Sequence, residues 1–330
     1  MKLGYETIKK LLHGVVYTEE KDGKIFIHRF THEQEEAYRE YSPALHKKCF
    51  STAGVRMEFD TDSTKLDMSF DVQYTSGTHT FVFDVCVDGN IILRPSICEE
   101  DDSKTVDLSF SANLGEGKKR VAVYFPWMAK AVIKSMYVDD GSYIQTVTRP
   151  HTMISFGDSI THGYTAYNPS RSYASLLADA LRADALNKGI GAEVFFPALA
   201  KLKDSIEPDY ITVAYGTNDW SLYKSKEDFE KNCREFYKAL SANYPNSKIF
   251  AITPIWRGNW DDKAVGCVSF SYIGEYIGRV AAELPNVTVI NGFDLVPHEE
   301  CFFMEDVLHP NTEGFRHYAN NLYSEIKKHI

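Results

Sequence analysis

Apolar and polar positions follow two different rhythms along this chain. Up to about residue 145 they exchange places within short runs: VRMEFDTD, KLDMSFDVQY, HTFVFDVCVDG, NIILRPSI, TVDLSFSANL, KRVAVYFPW and AVIKSMYVDD. Such alternation sets one strand face on a core and the other in water. Turn-prone TDS, TSG, DG, EDDS and GEG separate the runs. The pattern predicts an antiparallel β-sandwich. Val87-Asp88-Gly89-Asn90 reads as a hairpin turn, because glycine supplies the positive φ it requires. The more polar THEQEEAYREYS ahead of the strands predicts a short helix.

Beyond residue 150 the runs TMISFG, ALNKGI, YITVAYG, KIFAITPI and VTVING are apolar along their length. Between them lie SYASLLADALRA, KEDFEKNCREFYKALSANY, SFSYIGEYIGRVAAEL and TEGFRHYANNLYSEIKKHI, whose apolar residues recur at helical period. Apolar strands alternating with amphipathic helices predict an α/β domain, a parallel sheet covered on both faces. QTVTRP at 145–150 is the expected seam, with Pro150 favouring extended geometry before it. The expected division is a sandwich over 1–147 and an α/β domain over 148–330.

A length of 330 residues agrees with two domains. The formal charge of -10 argues against a nucleic-acid partner, which would need a basic surface. No run approaches the roughly 18 apolar residues of a membrane span. In MKLGYETIKKLLHGVVYTEE, His13 and Gly14 break the apolar stretch and acidic residues follow, unlike a secretory signal. No membrane partner and a cytoplasmic location are therefore expected. Six scattered cysteines without a CxxC pair predict reduced, mostly buried thiols.

In an open parallel sheet, chemistry gathers at the carboxyl ends of the strands. Four polar clusters fall there: Gly157-Asp158-Ser159, Asn187 to Ala192, Gly216-Thr217-Asn218-Asp219, and Asp306-Val307-Leu308-His309-Pro310. Ser159 could cap a helix, could be a nucleophile, or could do both. A nucleophilic serine needs a base, which His309 could supply. Asp306, three residues earlier, could fix the imidazole tautomer and stabilise the imidazolium. The oxyanion then needs donors: the N–H of Ser159, the amide of Asn218, and an N–H from the Gly189–Ala192 loop.

GDSIT at 157–161, the glycine-bearing loop at 189–191, GTND at 216–219 and DVLHP at 306–310 resemble the four blocks of SGNH/GDSL hydrolases, in order. The resemblance implies a flavodoxin-like three-layer α/β/α domain with a cofactor-free, metal-free esterase or acyltransferase site. It implies Ser159 as nucleophile, His309 as base and Asp306 as its orienter, with Ser159 and Asn218 in the oxyanion hole. One block departs from the family. The pattern N-x-x-x-x-G beginning at Asn187 puts Ala192 where glycine is expected, and positive φ costs alanine roughly 1 kcal/mol or more. Either the loop is ordinary there, or Gly191 takes over the role. The layout also resembles carbohydrate esterase family two, whose members carry a jelly-roll-like sandwich before the hydrolase domain.

Aromatic residues near the blocks suggest a sugar. Trp220 follows GTND, and Trp256, Arg257 and Trp260 follow KIFAITPI; packing at the domain junction is the competing reading for the tryptophans. His162 could touch substrate or support the loop, whereas Asp219 reads as a structural hydrogen-bonder. The expected function is hydrolysis of small acyl esters, acetyl foremost, on a small-molecule or oligosaccharide substrate. An acyltransferase with the same residues and a decayed carbohydrate-binding protein are the alternatives. The sandwich could complete the cleft, bind glycan or mediate a homo-oligomer.

Overall fold

The protein is described by a computed structural model covering residues 1–263 and 265–330. Its N-terminal half contains two large antiparallel sheets and a small antiparallel pair, Thr80–Val82 with Ser96–Cys98. One orders Leu12–His13, Arg56–Thr61, Lys119–Tyr124, Asp84–Val87 and Asn90–Leu93, with Ile144–Thr146 also paired to Arg56–Thr61. The other orders Thr105–Asn113, Lys65–Tyr74, Ala129–Val138, Lys24–His28 and Tyr17–Lys21. Alternate residues Leu66, Met68, Phe70 and Val72 of one sheet share a core with Met57, Phe59, Val121 and Val123 of the other. The Phe70 ring lies 4.6 Å from Phe83 and 5.4 Å from Phe125. Fully burying each such side chain contributes about 1.5–3 kcal/mol. A one-residue slip would turn the whole set into water, which fixes the register.

The polar stretch predicted as a helix is His32–Tyr41, opened by a reciprocal capping box between Thr31 and Gln34. A second helix, Pro43–Cys49, starts at once from Ser42. Among the elements that escaped the sequence reading are the helix Tyr5–Leu11 and the strands Tyr17–Lys21 and Lys24–His28. The two strands form a hairpin about Asp22 and Gly23, both at positive φ (53° and 70°). Asp-Gly is a favoured pair for such a turn. The predicted turn at Asp88 and Gly89 joins Asp84–Val87 to Asn90–Leu93.

The C-terminal half carries a five-stranded parallel sheet in the order Ala183–Asn187, His151–Gly157, Tyr210–Ala214, Lys248–Ile252, Val287–Ile290. The first two strands in sequence are swapped in space, so the chain reverses direction between His151–Gly157 and Tyr210–Ala214. Ligand crevices of such sheets open at that point. Helices Tyr173–Ala180 and Thr312–Ile326 cover one face, where Met153, Phe250 and Ile252 meet Leu177, Phe315 and Leu322. Helices Lys226–Asn243 and Phe270–Ala282 cover the other, where Ile154, Ile211 and Ile249 meet Phe236, Leu240 and Ile277.

Phe30, Tyr38 and Cys49 belong to this second core rather than to the sandwich. The chain around residues 29–51 thus packs against the α/β half. All six cysteines are free, but burial is less general than expected: Cys49, Cys86 and Cys233 are buried, whereas Cys98, Cys267 and Cys301 are exposed. Among the described residues no helix is long and apolar enough to cross a membrane.

Candidate active site

Ser159 is the first residue of a short helix, Ser159–His162, that begins where the His151–Gly157 strand ends. The cap of that helix is Asp158, whose Oδ1 accepts the Ile160 N–H at 2.9 Å. Ser159 is therefore not the N-cap: its hydroxyl is left for another partner. At the first helical position its N–H also lacks an intrahelical acceptor. Burial pushes the Asp158 carboxyl up to about 6, against the opposing pull of the Ile160 N–H, His309 and Arg257.

The Ser159 hydroxyl meets His309 Nε2 at 2.8 Å, across 150 residues of chain. His309 Nδ1 meets Asp306 Oδ2 at 2.6 Å, and Asp306 Oδ1 accepts the N–H groups of Leu308 and His309, each at 3.0 Å. Burial alone would raise the Asp306 pKa, but these bonds hold the carboxyl below its ordinary value. The intervening Val307 has φ +47°, a rare conformation for a β-branched residue. It is pinned from both ends: its N–H donates to Met304 C=O and its C=O accepts Gly258 N–H, each at 2.8 Å. The loop from 303 to 310 is thereby tied to the chain leaving the Lys248–Ile252 strand.

Asn218 lies in the helix Thr217–Leu222, entered through Gly216 at φ +124°. A Cβ at Gly216 would come within 2.5 Å of Pro254, so this turn requires glycine. One amide hydrogen of Asn218 goes to Glu193 C=O at 3.0 Å. The other remains for a ligand. Asp219 Oδ1 accepts the Phe195 N–H at 3.0 Å, a structural bond of the kind its position suggested.

The second block closes against the turn that carries Ser159. Asn187 Nδ2 donates to Thr161 C=O at 2.8 Å, and a Cβ on Gly189 would lie 2.3 Å from His162 N. Ala192 adopts φ +68°, so it keeps the left-handed conformation expected of the family glycine. The Gly191 N–H, by contrast, is engaged within the protein, donating to His162 Nδ1 at 3.2 Å.

Two of the residues expected to contact substrate are structural. His162 is buried, with Nε2 2.8 Å from Trp127 C=O and 3.0 Å from Ser51 Oγ. A carbonyl only accepts, so Nε2 carries the proton and Nδ1 is free to accept from Gly191. Burial, aided by Arg29, pushes its pKa well down and keeps it neutral. Trp220 is also buried, its Nε1 donating to Val268 C=O at 2.9 Å, which leaves no face for a sugar. Trp256 is half-buried, stacked on His298 at 5.6 Å and packed on Phe303 at 5.2 Å, beneath the Asp306–His309 loop. Arg257 donates to Thr217 Oγ1 at 3.1 Å and to Asn259 Oδ1 at 2.8 Å, bracing the Asn218 helix. Trp260 is exposed and lines an apolar groove of about 400 Å³ with Pro254, Phe270 and Phe293.

Several contacts at the site carry no sequence signal that we read. Tyr164, whose ring lies 6.0 Å from that of His309, follows the GDSITHG stretch directly. Glu193 is buried and accepts from the hydroxyls of Tyr215, at 2.7 Å, and Tyr38. Arg29, fully buried, donates to Asn187 C=O, to Ser51 C=O at 2.7 Å and to Lys48 C=O at 3.2 Å. An arginine in the apolar run KIFIHRF was the one available hint of a buried charge.

A parallel sheet ordered in this way, with Ser159, Asn218 and His309 at the carboxyl ends of its strands, has the three-layer α/β/α layout expected of residues 148–330. Residues 155–317 match the GDSL-like Lipase/Acylhydrolase family, the SGNH/GDSL hydrolases that the four sequence blocks resemble. Among solved structures, the chain is similar to the salicylyl-acyltransferase SsfX3 from a tetracycline biosynthetic pathway: TM-score 0.82, 22% identity, covering 96% of this chain and 94% of that one. A family two carbohydrate esterase from Cellvibrio japonicus superposes with TM-score 0.68 at 18% identity, covering 99% and 97%. Another, from Clostridium thermocellum in complex with cellohexaose, gives 0.66 at 17%, covering 84% and 93%. At these identities the shared property is the two-part fold. No curated protein matches the sequence.

Proposed function

We propose that the protein is a serine esterase that removes small acyl groups, acetyl foremost, from carbohydrate esters. The carrying observation is the hydrogen-bonded chain Ser159–His309–Asp306 at the sheet's carboxyl edge. In this reading Ser159 Oγ attacks the ester carbonyl while His309 Nε2 takes its proton, and Asp306 holds the resulting imidazolium. The proton then passes to the departing alcohol, leaving an acyl group on Ser159. Water, deprotonated by His309, releases the acid and restores the serine. The oxyanion of each tetrahedral intermediate would face the Ser159 N–H, the second amide hydrogen of Asn218 and the Ala192 N–H.

The carbohydrate preference is supported by the likeness to two family two carbohydrate esterases, one of them holding cellohexaose. It no longer draws on Trp220, which is core. A second reading has a specific observation behind it: the likeness to a salicylyl-acyltransferase runs over nearly the whole chain. There an acceptor hydroxyl would replace water in the second step. Product analysis with and without acceptor alcohols separates the two.

The chemistry is tested by Ser159→Ala with p-nitrophenyl acetate. Hydrolysis is expected to fall by about 1,000-fold or more with the thermal transition unchanged. Retention of a tenth of the activity would remove Ser159 from the mechanism.

A further inference from the structure

The segment Gly191–Glu193 is held at four points. The Gly191 N–H donates to His162 Nδ1 at 3.2 Å, and the Gly191 C=O accepts Lys48 Nζ at 2.6 Å. The Glu193 N–H donates to Ile190 C=O at 3.1 Å, and the Glu193 C=O accepts Asn218 Nδ2 at 3.0 Å. Between these, the N–H of the exposed Ala192 has no acceptor among the described residues. Tyr164, beside His309, bounds the segment on one side, since a Cβ on Gly191 would lie 2.5 Å from its hydroxyl. Asn218 bounds it on the other.

The Gly191 carbonyl and the Ala192 N–H are two ends of one peptide unit. That unit is trans and planar, so its C=O and N–H point in opposite directions. Whatever fixes the carbonyl also fixes the direction of the N–H. The group that fixes it is a cation, which makes a short, charge-assisted bond and polarises the peptide toward a stronger donor. It comes from the other half of the molecule, in the helix Pro43–Cys49. The guanidinium of Arg29 grips both sides of the contact, donating to Lys48 C=O and to Asn187 C=O. The positive φ of Ala192 disfavours this orientation for a side-chain-bearing residue, so an external restraint is needed.

We propose that Lys48 is a positioning residue of the oxyanion hole: its ammonium orients the Gly191–Ala192 peptide so that the Ala192 N–H faces the site. The inference rests on the esterase reading above. It gives the N-terminal half a part in the chemistry, since residues 29–51 set the geometry of a donor in the other half.

Kinetics of the full chain on p-nitrophenyl acetate test it. Lys48→Met keeps most of the stem and removes the charge. It should lower kcat tenfold to a hundredfold while KM stays within twofold, and Lys48→Arg should return kcat to within about threefold of wild type. A boronic acid that places an oxygen in the hole should weaken by the same factor as kcat/KM, which a merely structural lysine would not produce. A folded Lys48→Met with kcat within twofold of wild type overturns the proposal. Should Lys48→Met fail to fold, Lys48→Gln is read against the same thresholds. Wild-type protein that neither turns over the ester nor is labelled at Ser159 by a fluorophosphonate overturns the esterase reading itself, and the proposal with it.

Discussion

Ser159, Asp306 and His309 are placed by the parallel sheet and its own loops, whereas the segment from Asn187 to Glu193 is gripped from both halves of the chain. On the first side every contact comes from residues after 150: the Ser159–His309 bond, the Asp306 turn and the Gly258–Val307 tether. On the second side Arg29, Tyr38, Lys48 and Ser51 all reach across, to Asn187, Glu193, Gly191 and His162 in turn. On the esterase reading a nucleophile and its base can be built from one half of the chain, because three short turns suffice. A backbone N–H has no side chain to steer it, so its direction must be imposed by whatever packs behind the loop.

The largest effect should fall on the first side. Asp306→Asn preserves an oxygen for the Leu308 and His309 N–H groups but removes the charge that faces His309 Nδ1. On the esterase reading kcat should drop about 1,000-fold, since the imidazolium loses its counter-charge and the wrong tautomer is favoured. The thermal transition should move little, because Asp306 is exposed. A loss below tenfold would mean that the sheet-built side does not work through this carboxylate, and the contrast between the two sides would collapse.

The same contrast explains what the sequence could tell. All five parallel strands and the four helices that cover the sheet's faces were legible, because apolar runs and helical periods are local properties. The blocks around Ser159, Asn218 and His309 were legible for the same reason: each lies within a few residues of a strand end. The sandwich was legible as a class, but its hairpin at Asp22-Gly23 was overlooked although the turn pair was present. Arg29, Lys48 and Glu193 were not legible, since their partners in the opposite half lie more than 140 residues away and a lone charged residue looks the same on a surface. Trp220 and His162 misled in the opposite sense. Adjacency to a motif suggested substrate contact, yet both side chains turn inward to satisfy backbone carbonyls.

The junction can be tested through its pH response. Burial pushes Glu193 up to about 8, although the Tyr38 and Tyr215 hydroxyls pull the other way. An unfolded glutamate titrates near about 4.3. Between those values the native state holds a proton that the unfolded state has released, so stability falls as pH rises through the window. Burial raises Asp219 to about 7 and Asp158 to about 6, which adds to the slope with the same sign. Glu193→Gln keeps a polar partner for both tyrosines and removes one titration. From pH 5 to pH 8 the melting temperature of wild type should therefore fall further than that of the variant, by a few degrees. Parallel curves would show that this carboxyl does not titrate as a buried group, and that the junction is looser than the contacts imply.

The smallest effect concerns the one residue that departs from its family. Ala192 pays a strain for φ +68°, about 1–2 kcal/mol by comparison with an unrestricted residue. Glycine would remove that strain, but would also give the unfolded chain more freedom, which costs about 0.4–1 kcal/mol. The two nearly cancel, so Ala192→Gly should leave the melting temperature within a few degrees. Its effect on kcat decides more. If four contacts already hold Gly191 and Glu193, the N–H direction does not depend on whether position 192 carries a methyl group, and kcat should stay within twofold. A tenfold rise would show that alanine keeps the donor misdirected in the native enzyme. A tenfold fall would show the reverse, that the methyl group narrows the loop to the one conformation in which the Lys48 contact can form.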